Sequence, residues 1–88
     1  MKVEFLGKFN KDLDHLKQPK DKAAVLKAIM AIKDARTLTD IPHLKKLQGF
    51  QNAYRVRCGD LRIGIFVEKD VAQFARVRHR KDIYSYFP

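Results

Sequence analysis

Apolar positions change their spacing twice along this chain, and each change predicts a different backbone. Val3 and Phe5 alternate with Lys2 and Glu4, the two-residue period of a short strand over residues 2–6, and Gly7 breaks it. Phe9, Leu13 and Leu16 then recur at helical spacing, and the pattern stops at Gln18-Pro19. Asp21 is the predicted cap of a longer helix, in which Val25, Ala28, Ile29 and Ile32 form an apolar stripe widened by Leu26 and Met30. Both helices read as core-packing elements with lysine-rich solvated faces. Residues Thr37 to Pro42 read as a loop, since Pro42 stops any helix carried through Ile41. Leu44 and Leu47 anchor the next segment, and Gly49 releases the chain into strands.

From Ala53 onward the period returns to two. Tyr54, Val56 and Cys58 alternate with Arg55 and Arg57, and Gly59-Asp60 is a two-residue hairpin signal. Leu61, Ile63, Ile65 and Val67 alternate with Arg62, Gly64 and Phe66. A third strand follows from Ala72 to Arg78, and Lys81 to Tyr86 form a short helical tail. The expected fold is one α+β domain over residues 1–88. It has the order strand, helix, helix, three strands and a short C-terminal helix. A mostly antiparallel four-stranded sheet carries both N-terminal helices on one face.

Pairing arithmetic turns this pattern into a site. A two-residue loop at Gly59-Asp60 sets Cys58 opposite Leu61, Arg57 opposite Arg62, Val56 opposite Ile63 and Arg55 opposite Gly64, with every apolar pair on one face. The next turn, Glu68-Lys69-Asp70-Val71, contains no glycine. A two-residue loop there would place Arg78 opposite Leu61 on the apolar face, which is costly. A three-residue loop instead pairs Arg62 with Arg78, Ile63 with Val77, Ile65 with Ala75 and Phe66 with Phe74, and it is the register expected here. Arg57, Arg62 and Arg78 then form one row across three strands, with Arg55 and Arg76 flanking Gly64 in the next. Like charges set opposite one another in a sheet destabilise it, so folding alone does not explain the row. An anion does, because clustered guanidiniums offer bidentate contacts to phosphate. Gly64, lacking a side chain, would leave a floor on which such a group could rest. The bland alternative is that these arginines splay into solvent or pair with Glu68, Asp60 or the terminal carboxylate.

Charge agrees with an anionic partner: 19 Lys and Arg against 10 Asp and Glu give a formal +9. The single Cys58 can make no intramolecular disulfide, which suits a reducing compartment. The N-terminal stretch is charged again within a few residues of Phe5, and no apolar run is long enough to span a bilayer. A cytoplasmic protein without membrane contact is therefore expected. Among groups able to exchange a proton near neutral pH, only His79 lies beside the row, and strict alternation points it to the face opposite Arg78. Tyr84 has the shape to stack on a base, or else it pins the C-terminal helix together with Phe87. His15 and His43 read as surface residues. Three scattered histidines and one cysteine have no metal-ligand spacing, so neither metal nor cofactor is expected.

The residues that carry this reading also carry a resemblance. Leu47-Gln48-Gly49, Tyr54-Arg55-Val56-Arg57, Gly59-Asp60-Leu61-Arg62-Ile63 and His79-Arg80-Lys81-Asp82-Ile83-Tyr84, in that order, resemble the RelE/ParE toxins of type II toxin–antitoxin pairs. The likeness covers nearly the whole chain, although no single motif is diagnostic. It implies a ribosome-dependent mRNA endonuclease in which a ribose 2′-hydroxyl attacks the adjacent phosphate. It further implies an acidic antitoxin partner, with the ribosome and mRNA as targets. Arg55 and Arg57 fall where RelE-like toxins carry a pair of active-site lysines, Arg62 and Arg78 on their phosphate-binding arginines, and Tyr84 on their stacking tyrosine. Lys45, Lys46, Arg76 and Arg80 are the expected additional RNA contacts. Arginine in place of lysine leaves the usual proton acceptor missing, and His79 is the expected substitute. The ParE branch shares the fold but poisons DNA gyrase. A non-cutting RNA-binding module is the third reading.

Overall fold

The computed structural model describes all residues from Met1 to Pro88. Strand β1 (Lys2–Phe5) leads into helix α1 (Gly7–Asp14) and helix α2 (Pro19–Asp34). Strands β2 (Leu44–Lys46), β3 (Ala53–Cys58), β4 (Leu61–Glu68) and β5 (Val71–His79) follow. The sheet has five strands in the order β1-β5-β4-β3-β2, antiparallel except for β1 on β5. The α+β class holds, while the expected four strands become five. β2 is only three residues long, too short for alternation to reveal, and it forms because β3 offers it a paired edge. The expected C-terminal helix is a single 3-10 turn, Ile83–Ser85.

Local sequence explains the helix boundaries. Pro19 occupies the first turn of α2, where its missing N–H costs nothing. Asp21 therefore lies inside that turn, near the positive end of the helix dipole, instead of capping it. Between α2 and β2, Thr37 and Asp40 form a capping box around a short 3-10 turn. On the helix side of the sheet, Phe9, Val25 and Ile32 pack with Val56, Ile63, Ile65, Phe74 and Val77, all buried. Phe5, Phe9 and Phe74 form a stacked and edge-on trio. A smaller cluster of Ala53, Ala75, Ile83 and Phe87 occupies the other side, so the C-terminal tail crosses the face that carries the arginines.

The second hairpin departs from its expected register, yet the arginines still meet. Glu68 pairs with Val71 across a two-residue turn, with Lys69 in the left-handed region at φ 54°. A β-bulge then inserts Ala75, so that Ile65 pairs with Phe74, Phe66 with Gln73, and Gly64 with Arg76. Two-for-one pairing reverses the alternation of β5. Ala75 and Arg76 consequently share the tail face, and Val77 returns to the helix core. Ile63 still pairs with Val77 and Arg62 with Arg78. The turn is one residue shorter than expected, and the bulge restores the residue.

A basic pocket between β2 and the C-terminal tail

The first hairpin forms as its sequence predicts. Gly59 takes φ 62°, Cys58 pairs with Leu61, and Arg57 pairs with Arg62. Lys45 lies opposite Arg55 on the added strand β2. Lys45, Arg55, Arg57 and Arg62, with His43, Leu44 and Tyr84, line an open pocket of about 420 Å³. Four cationic residues line it and no carboxylate does. The Nη1 atom of Arg62 donates to the carbonyls of Gly59 and Leu61, each at 2.9 Å. That guanidinium is held in place by neutral acceptors and keeps its charge uncompensated. Arg55 lies 4.4 Å from the ring centre of Tyr84, a cation–π contact, while Tyr84 remains 72% exposed.

His43 is a surface residue, as the sequence predicts, but it also lines this pocket, which the sequence did not foretell. Its ring Nδ1 is 3.2 Å from Arg57 Nη2, and its carbonyl accepts the Arg57 backbone N–H, also at 3.2 Å. Its backbone stands at φ 62°, a region that non-glycine residues occupy at a cost. The only signal in the sequence is that the histidine precedes a strand whose existence was not legible.

The other two arginines are committed differently. Asp12 of α1 is 6% exposed and accepts from Arg76 Nε at 2.7 Å, from Arg76 Nη2 at 3.0 Å and from the Val77 backbone N–H at 3.1 Å. Arg78 Nη1 stands 3.6 Å from the same carboxylate. The ring of Tyr86 lies over both guanidiniums, at 4.9 Å from Arg76 and 3.8 Å from Arg78. The hydrogen bond that Arg76 donates to Asp12, outweighing the cost of burial, holds the Arg76 pKa further above its already high value. Arg76 and Arg78 thus close the exposed edge of β5 beyond β1, where α1 replaces a neighbouring strand. Asp12 was legible in principle, as a carboxylate on the Phe9–Leu16 apolar stripe.

Gly64 is also corrected. A Cβ built there would lie 2.4 Å from the Phe87 ring, so the glycine seats the C-terminal tail and leaves no open floor for phosphate. The Phe87 ring also meets Phe66 at a tilted angle, with ring centres 5.0 Å apart. His79 does not reach the pocket. It lines a separate cleft of about 780 Å³ between α1 and β5, together with Lys8, Lys11, His15 and the Asp12 group. Its ring Nδ1 accepts the Lys81 backbone N–H at 3.2 Å. Lys46 is exposed outside the pocket, beside Leu47 and Phe50, and exposed Arg80 donates its backbone N–H to the Asp60 carbonyl. Beneath the pocket, burial pushes the Cys58 thiol pKa up; Asp21 adds to the rise and Arg62 opposes it.

Comparison with known proteins accords with this architecture. Residues 3–84 match the family described as the ParE toxin of the type II toxin–antitoxin system parDE. The toxin RelE3 of Methanocaldococcus jannaschii is 44% identical over 89 residues, covering the whole of both chains. A RelB–RelE antitoxin–toxin complex from Methanococcus jannaschii superposes with a TM-score of 0.78 at 40% identity, covering 98% of this chain and 100% of the matched one. YafQ from E. coli shares the fold at 17% identity, with a TM-score of 0.70 over 93% of this chain and 96% of its own. With a family match across most of its length and a full-length relative at this identity, the chain belongs to the RelE/ParE superfamily of type II toxin–antitoxin toxins.

Proposed function

We propose that this toxin cleaves messenger RNA on the ribosome, using the pocket of Lys45, Arg55, Arg57, Arg62 and Tyr84. The observation that carries the reading is four cationic side chains gathered without a carboxylate around one space, with an exposed tyrosine at its rim. A sheet that sets Arg57 opposite Arg62 accepts a repulsion of a few tenths of a kcal/mol or more, and a bound phosphate removes it. In the proposed reaction the ribose 2′-oxygen attacks the neighbouring phosphorus and the 5′-oxygen leaves. The products are a 2′,3′-cyclic phosphate and a free 5′-hydroxyl. Arg62, fixed by two carbonyls, and Arg55 would stabilise the charge that grows on the phosphoryl oxygens, a role that needs preorganised donors. Tyr84 would stack on a base beside the cut.

Arg76 and Arg78 are left out of the cutting set because Asp12 and Tyr86 already engage them. Lys46, Arg80 and the lysines of the α1 cleft would add electrostatic attraction at longer range. The partner proposed for the free toxin is an acidic antitoxin, as RelB is found with RelE in the M. jannaschii complex. No helix is long and apolar enough to cross a membrane, in keeping with a proposed site of action in the cytoplasm.

Purified protein added to a translating extract, with the 5′ ends of the message mapped, tests the reading. New ends within codons are expected with wild type and not with Arg62→Ala. Intact message at the same dose, whether or not translation stops, would refute it. The family match described as a ParE toxin keeps gyrase as the second reading. Accumulation of cleaved DNA–gyrase complexes with undamaged message would establish that reading in its place.

A further inference from the structure

We propose that His43 takes the proton from the attacking 2′-hydroxyl, and that Arg57, donating to Nδ1, orients the imidazole until the RNA arrives. The inference rests on the endonuclease reading and supplies the proton acceptor that the arginines cannot be. A guanidinium offers only donors and does not lose a proton in proteins. The 3.2 Å contact between Arg57 Nη2 and His43 Nδ1 is therefore a hydrogen bond only if Nδ1 keeps its lone pair. The ring is then neutral, with its proton on Nε2, and Nδ1 is the atom left to accept one.

Two further observations point to His43 as more than a surface residue. Its backbone holds φ 62°, a strained position kept by pairing with Arg57 through both backbone and ring. It is also the one histidine that lines the four-cation pocket. The ionisable groups around it are Lys45 on β2, Arg55 and Arg57 on β3, Arg62 on β4 and Tyr84 on the tail. On the opposite side, toward α2, stand Lys27 and the Cys58 thiol. None is a carboxylate, so no acidic side chain competes for the proton.

When a phosphate enters, Arg57 gains a stronger acceptor and turns its N–H groups toward it, which frees the Nδ1 lone pair. The 2′-O–H bond then breaks, its proton passes to His43 Nδ1, and the O2′–P bond forms. The P–O5′ bond breaks, and the leaving 5′-oxygen takes a proton from water. The imidazolium afterwards returns its proton to solvent, so the cycle consumes no co-reactant. The phosphate offsets the imidazolium charge among the surrounding cations.

The test compares single-turnover cleavage of ribosome-bound message across pH for wild type, His43→Asn and the control His15→Asn. Asparagine tolerates the left-handed backbone, so His43→Asn should fold normally, bind a 2′-deoxy-substituted message with unchanged Kd and lose about 100-fold or more in rate. It should also lose the fall in rate toward acid pH that wild type and His15→Asn show. His43→Gly, relieved of strain and leaving a gap, should regain activity in added imidazole. Cleavage by His43→Asn within about threefold of wild type and with the same pH profile would overturn the assignment while leaving the nuclease reading intact. Loss of the acid limb in His79→Asn with its retention in His43→Asn would overturn it as well. If wild type leaves the message uncut, both the nuclease reading and this assignment fall together.

Discussion

The molecule carries two basic regions on one sheet, and they differ in what faces the guanidiniums. Arg76 and Arg78 on β5 meet Asp12 from α1 and the ring of Tyr86. Arg55, Arg57 and Arg62 on β3 and β4 meet carbonyl oxygens, an imidazole and a tyrosine, with no anion among the pocket's walls. The residue type is identical and the strands are adjacent. A buried carboxylate turns the first group into a structural tie between helix and sheet. Its absence leaves the second group with unspent charge, which is what an incoming phosphate needs. An arginine cluster thus becomes a candidate site only after its internal partners have been counted.

The sharpest way to break this contrast is to remove Asp12. Asp12→Ala would leave Arg76 partly buried without its partner, and the expected loss is about 3–5 kcal/mol in chemical denaturation. Unchanged stability would mean that the pair is ornamental and that Arg76 and Arg78 are as free as the others. Next in size, Arg62→Ala should lower single-turnover cleavage about 100- to 1,000-fold. The same variant should shift the unfolding midpoint little, since Arg62 is tied only to carbonyls of its own hairpin. Arg76→Ala should show the reverse balance, with the larger effect on stability.

Gly64→Ala tests the boundary between the two regions. Its new methyl group would meet Phe87 and force the tail to shift, costing about 1–3 kcal/mol by calorimetry. A variant as stable as wild type would show that the tail does not hold the position described here. The smallest effect concerns the thiol below the pocket. Burial favours the uncharged form of Cys58 in the folded state. Any stability from that preference is present below the ordinary thiol pKa and fades as pH rises toward and past the elevated folded value. Iodoacetamide should therefore label native Cys58 more slowly than the unfolded chain at mildly alkaline pH. Arg62→Ala, by removing the one influence that lowers this pKa, should slow labelling further. Equal rates in the native and unfolded chains would contradict the burial.

The sequence by itself determined the helix core, the first hairpin and the order of every element except β2. Each follows from local rules: apolar spacing for α1, α2, β3 and β4, and the left-handed freedom of Gly59 for the turn. It therefore also determined that Arg57 faces Arg62. The second hairpin was harder, because a β-bulge has no local signature here. The extra residue is tolerated because it keeps Phe74 and Val77 in one core while sending Ala75 and Arg76 to the other face. Only the tertiary structure decided which arginines stay free, since Asp12 lies 64 residues away from Arg76 along the chain. It alone also decided that Phe87 covers Gly64 and that His43, not His79, joins the pocket. Charge compensation and ring packing act through space, and spacing along the chain records them only where neighbours in sequence are neighbours in the fold.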